Sequence, residues 1–295
     1  MTRAGIVTVV GKPNAGKSTL LNRVVGTKLS IVSEKPQSTR DRIVGIRTDS
    51  DVQMILLDTP GLLNPRYALQ QAMRATALRA LGQADAVLYL IDAASAGDEI
   101  TPLHESAGLP QPPPAPVVVA LNKSDLLTPA AREALRERVS DAHLISATTG
   151  EGVDHLFAIL GGYLPESPFL YPEDEISTQT VRFFVAELIR ETALEQLDDE
   201  VPYSVACEIE EYREMQTPIY IRAVVYVERE SQKRILIGAG GQRIRAVGSA
   251  ARTKIEAFVG AKVFLDLWVK VLPNWRRNTQ ALRRLGYRIS EDRAT

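Results

Sequence analysis

Nine residues near the N-terminus, Gly11, Lys12, Pro13, Asn14, Ala15, Gly16, Lys17, Ser18 and Thr19, have the spacing G-x-x-x-x-G-K-S. Glycines at these places let the backbone curl so that successive N–H groups point inward, and the start of a helix adds positive dipole. This is a cradle for phosphate. Lys17 is placed to reach the β- and γ-phosphates of a nucleotide, and the Ser18 hydroxyl to bind Mg²⁺, which prefers hard oxygen ligands. A bare strand–helix turn has no use for Lys-Ser here.

Two further groups make the same chemistry more specific. Asp58, Thr59, Pro60, Gly61 and Leu62 follow an apolar run. A carboxylate at the end of a strand beside the first loop can hold Mg²⁺ through water, and the Gly61 N–H can approach a γ-phosphate. Asn122, Lys123, Ser124 and Asp125 follow another apolar run. The Asp125 carboxylate can accept from two N–H donors of guanine, an arrangement adenine cannot satisfy. The Lys123 stem can lie along the base. Ser146, Ala147 and Thr148 can offer backbone N–H groups to the guanine oxygen. Alone, each group is common and has a structural reading, such as a helix cap at Ser124 or Asp125. Their order in one chain makes a guanine-nucleotide site.

A second chemistry sits in the C-terminal third. Gly238, Ala239, Gly240 and Gly241 form G-x-x-G between two helical stretches. Such a loop lets a nucleic-acid backbone approach closely, with bases in an adjoining apolar groove. Ile237 and Ile244 are candidates for that groove, and Arg234, Arg243, Arg245, Arg252 and Lys254 for contacts to phosphate. The chain has a formal net charge of −1, but the charge is uneven. Residues 187–214 hold ten acidic side chains against two arginines, whereas 229–288 hold fourteen Lys and Arg against three acidic residues. That basic third suits an anionic partner such as RNA.

The elements that must position these residues are legible as runs. Short apolar stretches at 5–10, 42–47, 53–57, 86–91, 117–121 and 143–145 alternate with helical stretches at 17–25, 68–81, 129–139 and 153–162. Alternation of this kind predicts a mostly parallel sheet with helices on both faces. The runs at 42–47 and 53–57 are joined by a polar turn and predict an antiparallel edge. Three prolines between 164 and 177 read as an inter-domain linker. Beyond it come a helix at 181–196, strands near 203–210 and 219–228, helix–turn–helix over 232–259, a strand at 262–271 and a short helix from 274 to 285. That order predicts a small α+β domain. The proline-rich stretch 110–116 reads as a stiff surface connection. The single Cys207 excludes a disulfide framework and a cysteine zinc site and fits a reducing, cytoplasmic setting. No apolar run is long enough to cross a bilayer.

The ordered nucleotide motifs resemble the translation-factor-related GTPases. That resemblance implies a switch threonine between the first loop and Asp58. Thr39 sits where it belongs, with Ser38 an alternative, and Thr39 then joins Ser18 and Asp58 at the metal. Together with the G-x-x-G loop, residues 11–19, 36–42, 58–61, 122–125 and 237–244 resemble the Era family of bacterial ribosome-assembly GTPases over nearly the whole chain. The resemblance implies an α/β P-loop GTPase domain at 1–165, a linker at 166–178 and a type II KH domain at 179–295. It implies GTP or GDP and Mg²⁺ as ligands and Lys17, Thr39 and Gly61 in hydrolysis. Its implied partners are the 3′ end of small-subunit ribosomal RNA and the small subunit, for a monomeric protein in the cytoplasm with loose contact to the inner membrane surface. Asn14 either holds K⁺, as in potassium-stimulated relatives, or braces the loop. Leu62 stands where Ras-like enzymes have a water-orienting glutamine. This leaves a GTP-sensing RNA binder with negligible hydrolysis as the alternative.

Overall fold

The computed structural model describes residues 1–289 apart from Glu34, Pro36, Asp98 and Asp199. Glu34 and Pro36 of the switch segment therefore lie outside the described residues. Contacts divide the chain into two compact units: Met1–Pro65 with Met73–Thr178, and Arg66–Ala72 with Gln179–Thr295.

The first unit runs β1 (Arg3–Val10), α1 (Lys17–Val25), β2 (Ile43–Asp49), β3 (Val52–Asp58), α2 (Ala68–Leu81, of which it holds Met73 onward), β4 (Ala86–Asp92), α3 (Leu103–Ala107), β5 (Val117–Asn122), α4 (Pro129–Arg138), β6 (His143–Leu144) and α5 (Val153–Tyr163). The sheet order is β2-β3-β1-β4-β5-β6. Only β2 runs antiparallel to its neighbour, in the predicted hairpin with β3. The strands are apolar on both faces because both are covered. Val10, Val87 and Tyr89 pack with Ala77 and Leu81 of α2 and Leu103 and Ala107 of α3. On β2 and β3, Gly45 makes room for Leu21 of α1, and Met54 meets α5 at Gly161. Gly26, in the left-handed region, stops α1 with its N–H on the carbonyls of Asn22 and Arg23. α3 is only five residues long, as the following prolines require, and Pro116 O accepts from Val87 N–H at 2.9 Å where the chain joins the sheet.

The second unit contains α6 (Val181–Gln196), α7 (Val201–Ser204), β7 (Ala206–Arg213), β8 (Ile219–Val227), α8 (Glu230–Ile237), α9 (Gln242–Val259), β9 (Val263–Val271) and α10 (Thr279–Arg284). Its sheet is β7-β8-β9, antiparallel between the first pair and parallel between the second. Alternate residues of β8, from Ile219 to Val227, meet Val185 and Ile189 of α6 and Val247, Ala251 and Ile255 of α9. The strand's period of two and the helices' i, i+4 spacing thus address one core. Cys207 packs against the same core.

Two sequence expectations change. Tyr203 and Ser204 lie in the helical turn α7, not in the strand, because Pro202 opens that turn and Trp275 Nε1 donates to Ser204 O at 2.8 Å. The segment 166–178, read as a linker, is tied to the first unit. Gln53 binds the backbone of Leu170 and Tyr171, and Ser177 Oγ donates to Val44 O at 2.5 Å.

Inside the second unit Lys254 of α9 lies 3.0 Å from Glu191 and 2.7 Å from Glu195 of α6. Glu191 is 0% exposed. Lys254→Met keeps the stem and removes the ammonium from that buried carboxylate. The expected loss is about 2–3 kcal/mol, below the roughly 3–5 kcal/mol of a fully buried pair because Lys254 touches water. Trp268 and Trp275, the two tryptophans of the chain, both lie in this unit, so urea unfolding followed by tryptophan emission reads it. An unchanged midpoint would contradict the assignment.

Candidate functional site

The first loop leaves β1 at Val10 and enters α1 at Lys17. Gly16 has φ +94°, and a Cβ there would stand 2.1 Å from Asn122 Nδ2, so only glycine fits. Lys17 is buried, and its ammonium donates to the carbonyls of Gly11 at 3.3 Å and Lys12 at 3.0 Å. Ser18 Oγ donates to Asp58 Oδ2 at 2.7 Å and lies 3.0 Å from Thr39 Oγ1. Of the two hydroxyls left open by the sequence, Thr39 is the one beside Ser18, while Ser38 lines the cleft. Asp58 is wholly buried, and its Oδ1 has no hydrogen-bond partner among the described residues. Burial pushes the Asp58 carboxyl above its ordinary range and the Lys17 ammonium below its own, each opposed by the other's charge. A buried carboxylate with an unsatisfied oxygen, flanked by two hydroxyls, fits a small hard cation such as Mg²⁺.

At the other end of the cleft Asn122 closes β5. Its Nδ2 donates to Ala15 O at 2.9 Å and its Oδ1 accepts from Ala147 N–H at 2.8 Å. Lys123 is in the left-handed region, with Nζ 2.7 Å from Asp92 Oδ2. Ser146 Oγ donates to Asp125 Oδ1 at 2.6 Å. The cleft of about 460 Å³ is lined by Pro13, Asn14, Lys17, Thr39, Gly61 and Lys123 among others.

Four residues of the expected nucleotide set, Thr59, Pro60, Leu62 and Ser124, have buried side chains. Thr59 Oγ1 donates to Val9 O at 2.8 Å, and Pro60 is buried beside it. The Leu62 side chain, 6% exposed, sits in the core with Val10 and Leu81, and its N–H donates to Gly11 O at 3.0 Å. Ser124, wholly buried, donates its N–H to Ile145 O. Pro60 and Leu62 flank the lining residue Gly61 and Ser124 follows the lining residue Lys123, and neighbours in an extended backbone face opposite ways.

Sequence reasoning missed two residues. Arg23 of α1 donates from Nε to Ala147 O at 2.6 Å and from Nη2 to Thr148 O, holding the loop that follows β6, the third loop of the cleft. Asp92 orients Lys123. A carboxylate at the carboxyl end of a parallel strand is the available signal for Asp92, because ligands of such sheets bind there. Arg23 has no local signal.

In the second unit, residues 238–241 link α8 to α9. Gly240 has φ +55° and open space where a Cβ would be, so the backbone is accessible there. Arg234, Arg243, Arg245 and Arg252 are exposed. Arg243 donates to Ile235 O at 3.2 Å and Arg245 to Gly240 O at 2.7 Å, which keeps both guanidinium groups at the loop. Ile237 and Ile244 are half-buried, Ile244 against the core. Lys254, expected among the phosphate contacts, is instead engaged by Glu191 and Glu195.

Loop, carboxylate and base-end geometry on a mostly parallel sheet, followed by an α-β-β-α-α-β unit with a glycine turn, define a P-loop GTPase domain joined to a type II KH domain. Residues 6–123 match the family model described as 50S ribosome-binding GTPase, and 200–276 match the KH domain. The chain is 41% identical over 294 residues to GTPase Era of Pseudomonas fluorescens Pf0-1, covering 97% of each. The same identity and coverage hold for GTPase Era of Pseudomonas putida W619. Two solved Era structures align with a TM-score of 0.90 at 37% identity, covering 98% of this chain and 100% of each of theirs. One is a variant of Aquifex aeolicus Era bound to GDP and AlF4⁻. The other is Era with MgGDPNP and nucleotides 1506–1542 of 16S ribosomal RNA. This chain belongs to the Era family of GTPases. Membership makes it a GTP hydrolase and removes the non-hydrolysing alternative.

Arg23→Met should leave the fold intact and loosen the third loop. Amide exchange at Thr149 and Gly150, whose N–H groups donate to Ser146, should accelerate several-fold while α5 stays protected. Unchanged exchange at both amides would show that Arg23 does not hold the loop.

Proposed function

We propose that this protein is a GTP-driven switch that binds single-stranded RNA at the 3′ end of the small-subunit ribosomal RNA and acts in assembly of the small subunit. The observation that carries the nucleotide half is the buried Asp58 with its unsatisfied Oδ1 beside Ser18 and Thr39. Support for the RNA half comes from the open Gly240 turn among exposed arginines, and from the relative that holds 16S ribosomal RNA. By the same family resemblance the protein works in the cytoplasm with peripheral contact to the inner membrane face; no described helix is long and apolar enough to cross a membrane.

In this reading GTP lies along the cleft. The Lys17 ammonium and the N–H groups at the start of α1 neutralise the phosphates. Ser18 and Thr39 hold Mg²⁺ by their hydroxyls and Asp58 holds it through water; the bound metal offsets charge on the β- and γ-oxygens. The Gly61 N–H donates to the γ-phosphate, and Thr39 senses its presence. Leu62 faces the core and orients no water, so positioning and electrostatics supply the rate. Asp125 accepts from guanine N–H groups, the Lys123 stem covers the base, and the Ala147 and Thr148 backbone meets its oxygen. On the RNA side residues 238–241 approach the backbone, Ile237 and Ile244 floor the groove, and Arg234, Arg243, Arg245 and Arg252 supply charge.

Three measurements test this. Asp125→Asn should move preference from guanosine to xanthosine nucleotides, since the amide offers a donor to the extra oxygen; unchanged GDP affinity would refute the assignment. Asn14, left-handed in the loop and lining the cleft, holds K⁺ in this reading, so turnover should be faster in K⁺ than in Na⁺, and equal rates would remove the cation. Ala239→Asp with Gly240→Asp should abolish binding of labelled single-stranded RNA and spare GDP binding; wild-type RNA affinity in that variant would leave residues 238–241 as a turn only.

A further inference from the structure

Asp58 receives a third hydroxyl that none of the nucleotide motifs contains. Ser30 Oγ donates to Asp58 Oδ2 at 2.8 Å, the same oxygen that Ser18 Oγ reaches at 2.7 Å. Ser30 is 1% exposed and lies in the irregular stretch between α1 and β2, where no regular element fixes it. Its place is set from α1. Asn22 Oδ1 accepts from the N–H groups of Leu29 and Ser30, each at 2.8 Å, and Asn22 Nδ2 donates to Ser30 O at 2.8 Å. One amide therefore satisfies both backbone polar groups of Ser30. Ser18 and Asn22 are four residues apart, on one face of α1. The helix that presents one hydroxyl directly to Asp58 presents the other through this clasp.

We propose that Asn22 and Ser30 are positioning residues for the metal carboxylate: Asn22 fixes Ser30, and Ser30 with Ser18 pins Oδ2, so that Oδ1 is the oxygen left for the shell of Mg²⁺. A carboxylate is free to rotate about its own axis, and two donors on one oxygen stop that rotation. Groups that orient a metal's partners in this way strongly affect metal affinity. The proposal rests on the reading of Asp58 as the Mg²⁺ carboxylate.

The test is the affinity of a fluorescent non-hydrolysable GTP analogue for the full chain, measured in chelator and across a Mg²⁺ titration. In Ser30→Ala the Mg²⁺ concentration needed for half of the metal-dependent gain should rise on the order of tenfold. Affinity in chelator should stay at the wild-type value, which a role in scaffold stability alone would not predict. Asn22→Ala should shift the Mg²⁺ curve in the same direction, and the double variant no further than the larger single, because both act through one bond. A Ser30→Ala curve that superimposes on wild type overturns the proposal. So does an equal loss with and without Mg²⁺. If wild type itself gains nothing from Mg²⁺, the metal reading of Asp58 falls first. Should Ser30→Ala fail to fold, Asn22→Ala, whose hydrogen bonds go to Leu29 and Ser30, decides the matter by the same two criteria.

Discussion

The side-chain amide of Asn122, 1% exposed, donates to the Ala15 carbonyl and accepts from the Ala147 N–H. These two bonds join three loops that leave three different strands. A carboxylate could not donate to Ala15, and an apolar side chain would leave a buried carbonyl and a buried N–H unpaired, at about 1–3 kcal/mol each. Gly16 follows from the same amide, because a Cβ would meet Nδ2. The phosphate end and the base end of the cleft are therefore one object. Arg23 supports it from α1 and Asp92 from β4.

The metal end obeys a different constraint. Lys17 and Asp58 are both buried, and burial disfavours the charge on each. What makes this tolerable in the protein alone is mutual attraction together with donors to Asp58 and carbonyl acceptors for Lys17. A site that holds two opposite charges out of water, one of them with an oxygen unsatisfied, is prepared for a ligand that carries the complementary charges. Stability has been given up there for binding.

Much of this was legible in the sequence, for a physical reason. Residues that touch phosphate through backbone must be glycine or small, and they come from one continuous loop, so spacing records them. One end of α1 and one of α6 were equally plain, because Gly26 and Thr180 are local signals. The apolar runs marked each sheet strand of the first unit to within two residues. What spacing does not record is a partner far along the chain. Arg23 meets Ala147, Ser30 meets Asp58, and Lys254 meets Glu191 only after folding. Lys254 shows the cost of counting charge along a sequence: it belongs to the basic stretch, yet a buried glutamate holds it. Leu62 and Thr59 show a related point at the site: the motif records their place in the loop, while the Leu62 side chain packs into the core and the Thr59 hydroxyl donates to the Val9 carbonyl. The proline-rich segment after Leu164 looked like a free connection because nothing local reveals that Gln53 binds it.

The most direct test of this account is the GDP affinity of Asn122→Asp. The substitution keeps size and shape, and it places an acceptor against the Ala15 carbonyl. If the amide joins the two ends of the cleft, affinity should fall at least about a hundredfold, since both a lost bond and a new repulsion follow, and hydrogen exchange should rise together in the first loop and in the loop bearing Ala147. GDP affinity within about twofold of wild type, well under one kcal/mol, would contradict it.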